Sequence, residues 1–366
     1  MKTITLALAL SGALLYSQTA PSSAAQRPHA PTWNFALSGD SRNCGDVVMP
    51  AIAQGAKAAS AEFYWELGDF RALYDFDQDM QGEVRDGKPR KLTINDYLNQ
   101  AWDDFIRNQA NAFTMPMFLG IGNHELYGGK TRADYIAQFG DWISNEWVRK
   151  QRLADDPNDH RLKTYYHWRW RNVDFLSLDN ASRDQFDPAQ MRWFEATLAK
   201  IAASKETQAL VVGLHAALPD SLAIGHSMSD YPEGEKSGRR VYADLLDFQK
   251  KTGKRVYIFA SHSHFYMANV FNSDYWKSHG GVLPGWIVGT AGAERYVLPE
   301  GATMADAAQT DIYGFMVGTV AADGSIEFKF QEVQERDVPS TVTTRYREGL
   351  VHECFTGNSE SQKKGM

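Results

Sequence analysis

Five apolar runs in this chain stop on residues that can hold a cation or move a proton. The sharpest is Phe118–Ile121, which halts at Gly122, Asn123, His124 and Glu125. Trp33–Ser38 runs into Gly39 and Asp40, and Phe63–Leu67 runs into Gly68 and Asp69. Ala209–Leu214 ends on His215, and Arg255–Ala260 ends on Ser261, His262, Ser263 and His264. A short apolar run reads as a buried strand. In open α/β sheets, ligands bind beyond the C-terminal ends of the strands. One polar strand end alone reads as a loop tip. Five together assemble two carboxylates, an amide and several imidazoles. A hard-to-borderline metal ion takes such a mixture of oxygen and nitrogen donors.

Between these runs the spacing predicts helices over Val47–Ala61, Ile94–Phe113, residues 131–150, Pro188–Ala203 and Val241–Lys251. Thr93 or Asn95 is placed to cap the second of them. Tyr165–Leu178 alternates in two runs around Arg171 and Asn172, the pattern of a hairpin. Tyr313–Val320 and Ser325–Gln331 flank Asp323 and Gly324 as a second hairpin. Strands alternate with helices early and hairpins enter late. That order favours a sandwich of sheets with helices outside over a single doubly wound sheet. Trp168 and Trp170 share one strand face and read as packing residues. Residues 71–93 read as an insertion near the second strand end, a substrate-facing loop. Its acidic residues Asp75, Asp77 and Asp79 lack the glycine and closing glutamate of a calcium loop and read as solvated.

Residues 1–25 carry Lys2, an apolar stretch over Ile4–Tyr16 and the small residues Ser23, Ala24 and Ala25. This is the form of a cleaved signal peptide, cut after Ala25. The stretch is shorter than the ~20 residues of a membrane span, so no stable span is expected after cleavage. The expected organisation is a signal segment over 1–25, one domain over 26–350 and a polar tail over 351–366. The expected location is secreted or periplasmic. The formal net charge is −7, and loss of Lys2 makes it −8. A mildly acidic chain with no basic stripe argues against nucleic acid as the main partner. Export permits a disulfide between Cys44 and Cys354; two free thiols are the alternative.

In order along the chain, these motifs resemble the calcineurin-like metallophosphoesterase superfamily. The matching pieces are Gly39-Asp40-Ser41-Arg42, Gly68-Asp69, Gly122-Asn123-His124-Glu125, His215 and Ser261-His262-Ser263-His264. Leu178-Asp179-Asn180, with the following helix through Gln190 and Trp193, fits as well. The resemblance implies a four-layer α-β-β-α sandwich of two mixed sheets flanked by helices. It implies a metal-dependent phosphoesterase that hydrolyses small-molecule phosphate mono- or diesters through a metal-bridging hydroxide. Two divalent or trivalent ions (Mn, Zn, Fe or Mg) are implied. Asp40 and His264 would hold the first, Asp69 would bridge, and Asn123, His215 and His262 would hold the second. His124 would stabilise the phosphoryl oxygens or protonate the leaving group, and Glu125 would orient His124 or brace the loop. His226, a short loop after His215, is placed to reach the cleft.

Two positions depart from the family pattern. Arg42 stands where a histidine is usual, and arginine stays protonated and cannot ligate a metal. It is either a bidentate clamp for substrate phosphate or part of a structural ion pair. Ser261 replaces a glycine. The tyrosine ligand of the purple acid phosphatase branch is absent, since Ala72 holds that position and the nearest tyrosine is Tyr74. The rival reading is a non-catalytic binding module whose first metal site has degenerated at Arg42.

Overall fold

The computed structural model describes residues 32–300, 302 and 307–363; the expected signal segment lies outside them. Two mixed sheets carry the architecture. The first has five strands in the order Ile326–Val333, Tyr313–Val320, Trp33–Ser38, Ala61–Glu66 and Met117–Leu119. Its last three strands are parallel, and the C-terminal hairpin joins antiparallel beside Trp33–Ser38. The second has seven strands in the order Ala308–Gln309, Tyr266–Ala268, Gly285–Val288, Arg255–Ala260, Ala209–Gly213, Val173–Ser177 and Tyr166–Trp170. Its middle four are parallel and its edges antiparallel.

Period-two alternation decides what lies between the sheets. Phe35, Phe63, Trp65 and Phe118 project from the first sheet, and Trp168, Phe175, Val211 and Phe259 from the second, into one core. Rings cross the interface edge-on, Phe63 to Phe175 at 5.2 Å and Trp65 to Trp168 at 4.9 Å, while Phe118 stacks on Trp168 at 4.2 Å. Each such buried ring contributes about 1.5–3 kcal/mol through apolar burial alone. The opposite face of the second sheet, with Leu210, Val212, Ile258 and Met267, packs on Phe194, Leu198, Val241 and Leu245 of two helices. On the outer side of the first sheet the Tyr64 hydroxyl reaches Met49 of the helix Gly45–Ala58. This is the expected four-layer sandwich.

Several boundaries differ from expectation for local reasons. The helix expected to begin at Val241 starts at Pro232 and runs to Thr252. Proline at its first positions and Glu233 and Glu235 in its first turn suit a helix start. Gly234 and Gly238 break the apolar periodicity because they pack tightly, Gly238 against Pro219. The helix expected to reach Phe113 ends at Asn108, and Thr93 caps it in a reciprocal capping box with Asp96. Residues 131–150 form two helices, Arg132–Ile143 and Glu146–Asp155.

The acidic loop expected to be solvated is in large part interior. Asp77 and Asp79 are fully buried, as is Arg71. Arg71 donates to Asp79 at 2.9 Å, to Asp104 at 2.6 Å and to Asp46. Asp77 accepts from the backbone N–H groups of Asn43 and Ala72 and from the Tyr97 hydroxyl. A single guanidinium and its carboxylates thereby pin the loops after Asp40 and Asp69 from behind. Breaking such a buried set by removing one partner costs about 3–5 kcal/mol.

Residues 351–359, expected to belong to a polar tail, are held by the fold. Leu350–Thr356 is helical, and Asn358 and Ser359 are buried. Cys354 is disulfide-bonded to Cys44, just ahead of the helix Gly45–Ala58, with Cα atoms 5.8 Å apart. The bond closes a loop 310 residues long in sequence separation. No helix among the described residues is long and apolar enough to cross a membrane.

Two outcomes follow from these braces. Cys354→Ser should lower unfolding stability by roughly 2–5 kcal/mol, read from urea midpoints under non-reducing conditions; an unchanged midpoint would show that the bond does not constrain the fold. Burial, with Asp104 adding to it and Arg71 opposing it, pushes Asp46 up to about 7. A carboxyl raised above its unfolded value of 3.8 stabilises the fold at low pH and loses that contribution as pH rises through 7. Asp46→Asn should therefore be the less stable form at pH 5, with the gap narrowing by pH 8. A gap that stays constant or widens contradicts this.

Candidate metal centre

The parallel strands deliver their C-terminal ends to one cleft of about 780 Å³, whose walls include Arg42, Asn123, His124, His226, His262 and Tyr296. Three of the strand-end residues, Asp40, Asp69 and His262, hold left-handed backbone at φ 61°, 63° and 65°. Such conformations are uncommon outside glycine and store of order 1–3 kcal/mol each. They turn the chain off the strand direction at each position, and of the three His262 lines the cleft.

Glycine permits the close approach of the loops. Gly68 has φ 104°, and a Cβ there would lie 2.4 Å from Gly122 N. A Cβ on Gly122 would lie 2.2 Å from Asp69 Oδ1 and 2.8 Å from His215 Cε1. Glu125 binds the two loops together. It is fully buried and accepts from the N–H groups of Asp69, Phe70 and Gly122 at 2.8, 2.9 and 2.8 Å. Burial and the Asp69 charge push Glu125 up to about 8, against the pull of those three donors. Of its two expected roles, bracing is the one with hydrogen bonds behind it.

One donor group converges within this frame. His215 Nε2 lies 3.0 Å from Asn123 Oδ1, 3.1 Å from His262 Nδ1 and 3.3 Å from Asp69 Oδ2. The other nitrogen of His215 faces the Leu67 carbonyl at 3.2 Å and the Ser261 hydroxyl at 3.0 Å. The His215 loop is itself held by Asn180, whose Oδ1 accepts from the N–H groups of His215 and Ala216. Asp69, His215 and His262 present ligand atoms within 4.8 Å of one another. Asp69 Oδ2 is buried with no hydrogen-bond donor. A buried, donorless carboxylate oxygen among imidazole nitrogens fits a cation. Burial opposes the charge of Asp69, but His124 and His215 outweigh it and hold Asp69 well below the ordinary range. Burial likewise opposes a proton on His215, yet the Asp69 charge lifts it to about 9, so the carboxylate draws positive charge to this position.

A second group lies beside the first. His264 Nε2 is 3.1 Å from Asp40 Oδ1, and Asp40 Oδ2 accepts from His262 N at 2.6 Å. Arg42 is buried here, with Nη2 3.3 Å from His264 Nε2. His124 sits at the edge of the first group, against Asp69. Its backbone N–H donates to Asp69 Oδ1 at 2.9 Å, its Nδ1 meets the Ala72 carbonyl, and its Nε2 stands 3.6 Å from Asp69 Oδ2. Burial, helped by Arg42 and opposed by Asp69, lowers His124 to about 4. His226 does reach the cleft, edge-on to His262 at 5.1 Å and stacked with Tyr296 at 4.9 Å.

All the residues singled out from the sequence as site residues therefore lie at one place. Sequence reading missed Tyr296, which stacks on His264 at 3.9 Å. It also missed Asp184, which lines the cleft and which burial pushes up to about 6. Neither lies at a strand end, so the signal that found the others does not reach them.

A profile of the family described as calcineurin-like phosphoesterase matches residues 56–266. The match spans more than half of the chain, and the chain belongs to that family. No curated protein matches it. Among solved structures it is similar to one titled "Structure of PhoD", at 13% identity over 90% of this chain and 78% of that one, with TM-score 0.51. It is also similar to GAP50, titled the anchor in the inner membrane complex of Plasmodium (14% identity, 82% and 84% covered, TM-score 0.49), and to a dimetal phosphatase from Danio rerio (11% identity, 82% and 99% covered, TM-score 0.44). The PhoD likeness shows the fold and nothing finer.

Gly122→Ala should disrupt the centre without unfolding the sandwich, because its methyl group meets Asp69 and His215. Mn²⁺ affinity measured by calorimetry should fall by at least roughly tenfold while the circular dichroism spectrum is kept. Unaltered affinity would mean that the loops can shift apart freely.

Proposed function

We propose that the chain is an exported hydrolase of small-molecule phosphate esters that works with bound metal. Family membership supports phosphoester hydrolysis with divalent metal. The observation that carries the reading is the convergence of Asp69, Asn123, His215 and His262 around a buried carboxylate oxygen that lacks a donor. Those four residues would hold an ion, which supplies Lewis acidity and an acidified water when bound.

The chain's own groups do the rest. Glu125 fixes the Asp69 and Asn123 loops at one separation. Ala72 holds His124 Nδ1, so the tautomer leaves Nε2 facing the cleft. An incoming phosphate dianion favours a proton on that nitrogen by Coulomb attraction. His124 then donates to a phosphoryl oxygen or to the leaving group. Arg42, Tyr296 and His226 line the same cleft and add a cationic and aromatic wall. Export rests on the N-terminal pattern and is supported by the Cys44–Cys354 disulfide, since such bonds persist in oxidising compartments.

Turnover of nitrophenyl phosphate and bis-nitrophenyl phosphate across a series of Mn, Zn, Fe and Mg tests the reading. Asp69→Ala and His124→Ala should each stay folded and lose on the order of 10²–10⁴ in kcat. For His124→Ala, metal content should stay at the wild-type level. Undiminished turnover in either variant would remove that residue from the chemistry. No turnover of any ester by a fully metallated wild type would leave the non-catalytic binding module as the better reading.

A further inference from the structure

The Asp40–His264 group differs from the other in having a guanidinium in contact with its imidazole. His264 Nδ1 faces the Glu294 carbonyl at 2.6 Å and donates its proton there. In the neutral ring this leaves Nε2 with a lone pair and no hydrogen. Asp40 Oδ1 faces that lone pair at 3.1 Å and is buried without a hydrogen-bond donor. Two lone pairs so close together need positive charge beside them. Arg42 supplies it, with Nη2 at 3.3 Å from His264 Nε2.

The guanidinium is held in place from the other side. Nη2 also donates to the Tyr296 hydroxyl at 3.3 Å, and Nη1 to the Tyr74 hydroxyl at 3.4 Å. The Tyr296 ring in turn stacks on His264. Arg42 and His264 are thus fixed against one another through a shared tyrosine. A single imidazole lone pair serves one partner. A metal ion on His264 Nε2 would take the acceptor from the Arg42 N–H and set its charge against a group that does not deprotonate.

We propose that the Arg42 guanidinium stands in the Asp40–His264 group in place of a metal ion. The chain then carries a single ion, in the Asp69–Asn123–His215–His262 group, and presents a built-in cation next to it. The family profile begins at residue 56, so Asp40 and Arg42 lie outside the matched span. Asp69, Asn123, His215, His262 and His264 lie inside it. The contacts of Arg42 at 3.3–3.4 Å are longer than the ~2.7–2.9 Å of strong charged hydrogen bonds. Its Nε is buried with no acceptor. The guanidinium keeps donor capacity for a strong acceptor, and the planar fork matches two oxygens of one phosphoryl group. Its ligand would be two non-bridging oxygens of one phosphoryl group bound in the same cleft.

This inference rests on the metal-dependent reading above, and metal counting separates the two. The full chain is loaded with Mn²⁺, freed of excess by gel filtration, and measured for manganese per chain and by electron paramagnetic resonance. The expected result is a single ion per chain and the spectrum of isolated Mn²⁺. Arg42→His, which restores an imidazole, should gain a second ion and a spin-coupled spectrum. A wild type with two ions and a coupled spectrum would overturn the role of Arg42 and leave the hydrolase reading intact. A histidine variant that folds and still holds a single ion would also overturn it, because Arg42 would then not be what excludes the ion. No ion in either protein would sink both readings. The wild-type count decides the matter even if the variant does not fold.

Discussion

The centre depends on one buried carboxylate. Glu125 accepts three backbone N–H groups from two loops that close neighbouring parallel strands. Without it, those three donors would be interior and unpaired, at about 1–3 kcal/mol each. With it, the loops close to the distance at which Gly68 and Gly122 touch. That closeness gives Asp69 Oδ1 its donor, the His124 N–H, and leaves Oδ2 aimed at the imidazoles. Asn123 and His124 follow directly, since both ride on the short segment between Gly122 and Glu125. Substrate-facing geometry therefore descends from a backbone-binding residue that faces no substrate.

Behind that carboxylate is a second layer of buried charge. Arg71, two residues beyond Asp69, is enclosed by Asp46, Asp79 and Asp104, and Asp77 ties down Asn43 and Ala72. Ala72 is the residue whose carbonyl holds His124. A chain of contacts thus runs from an interior ion cluster, through one backbone unit, to the imidazole facing the cleft. The left-handed residues Asp40, Asp69 and His262 are held in strained conformations by this surrounding order. Strain of that kind persists only where neighbouring structure over-determines it. The disulfide near the start of the first helix adds a covalent member to the same frame.

The strand ends are legible because buried strands are written as apolar runs, and polar residues that stop such runs stand out. That signal finds Asp40, Asp69, Asn123, His124, His215, His262 and His264, and the alternation gives the hairpins and the inter-sheet tryptophan Trp168. It fails where burial is achieved through charge pairing instead of apolar character. Asp77 and Asp79 look solvated in sequence and are interior. The cation beside them, Arg71, and the residue that shares it, Asp104, meet them only in space. The C-terminal residues Asn358 and Ser359 escape sequence reading for a related reason. Asn358 donates to the Gly292 carbonyl and the Tyr313 hydroxyl, partners far away in sequence. Tyr296 has no local signature at all, since its role is to stack on a histidine from a different loop, His264.

Arg42 is legible as a departure, and geometry turns the departure into a specific arrangement. Deleting a metal-ligating histidine from a site usually leaves the remaining donors facing nothing, and uncompensated buried carboxylates are destabilising. Here Arg42 brings a permanent charge beside Asp40 and His264. The neighbouring tyrosines Tyr74 and Tyr296 add acceptors that orient the guanidinium at the cleft wall. A cation attached to the chain also differs in kind from a bound ion. It is present whatever the metal supply, it cannot acidify a water as a metal can, and it binds oxygens along fixed N–H directions. On the Arg42 inference the work of the centre is therefore divided: the ion among Asp69, Asn123, His215 and His262 supplies Lewis acidity, and the guanidinium supplies charge and orientation only. On the same inference the Lewis-acid side of the cleft would lie next to the strand end that carries His124, and the guanidinium side against Tyr296.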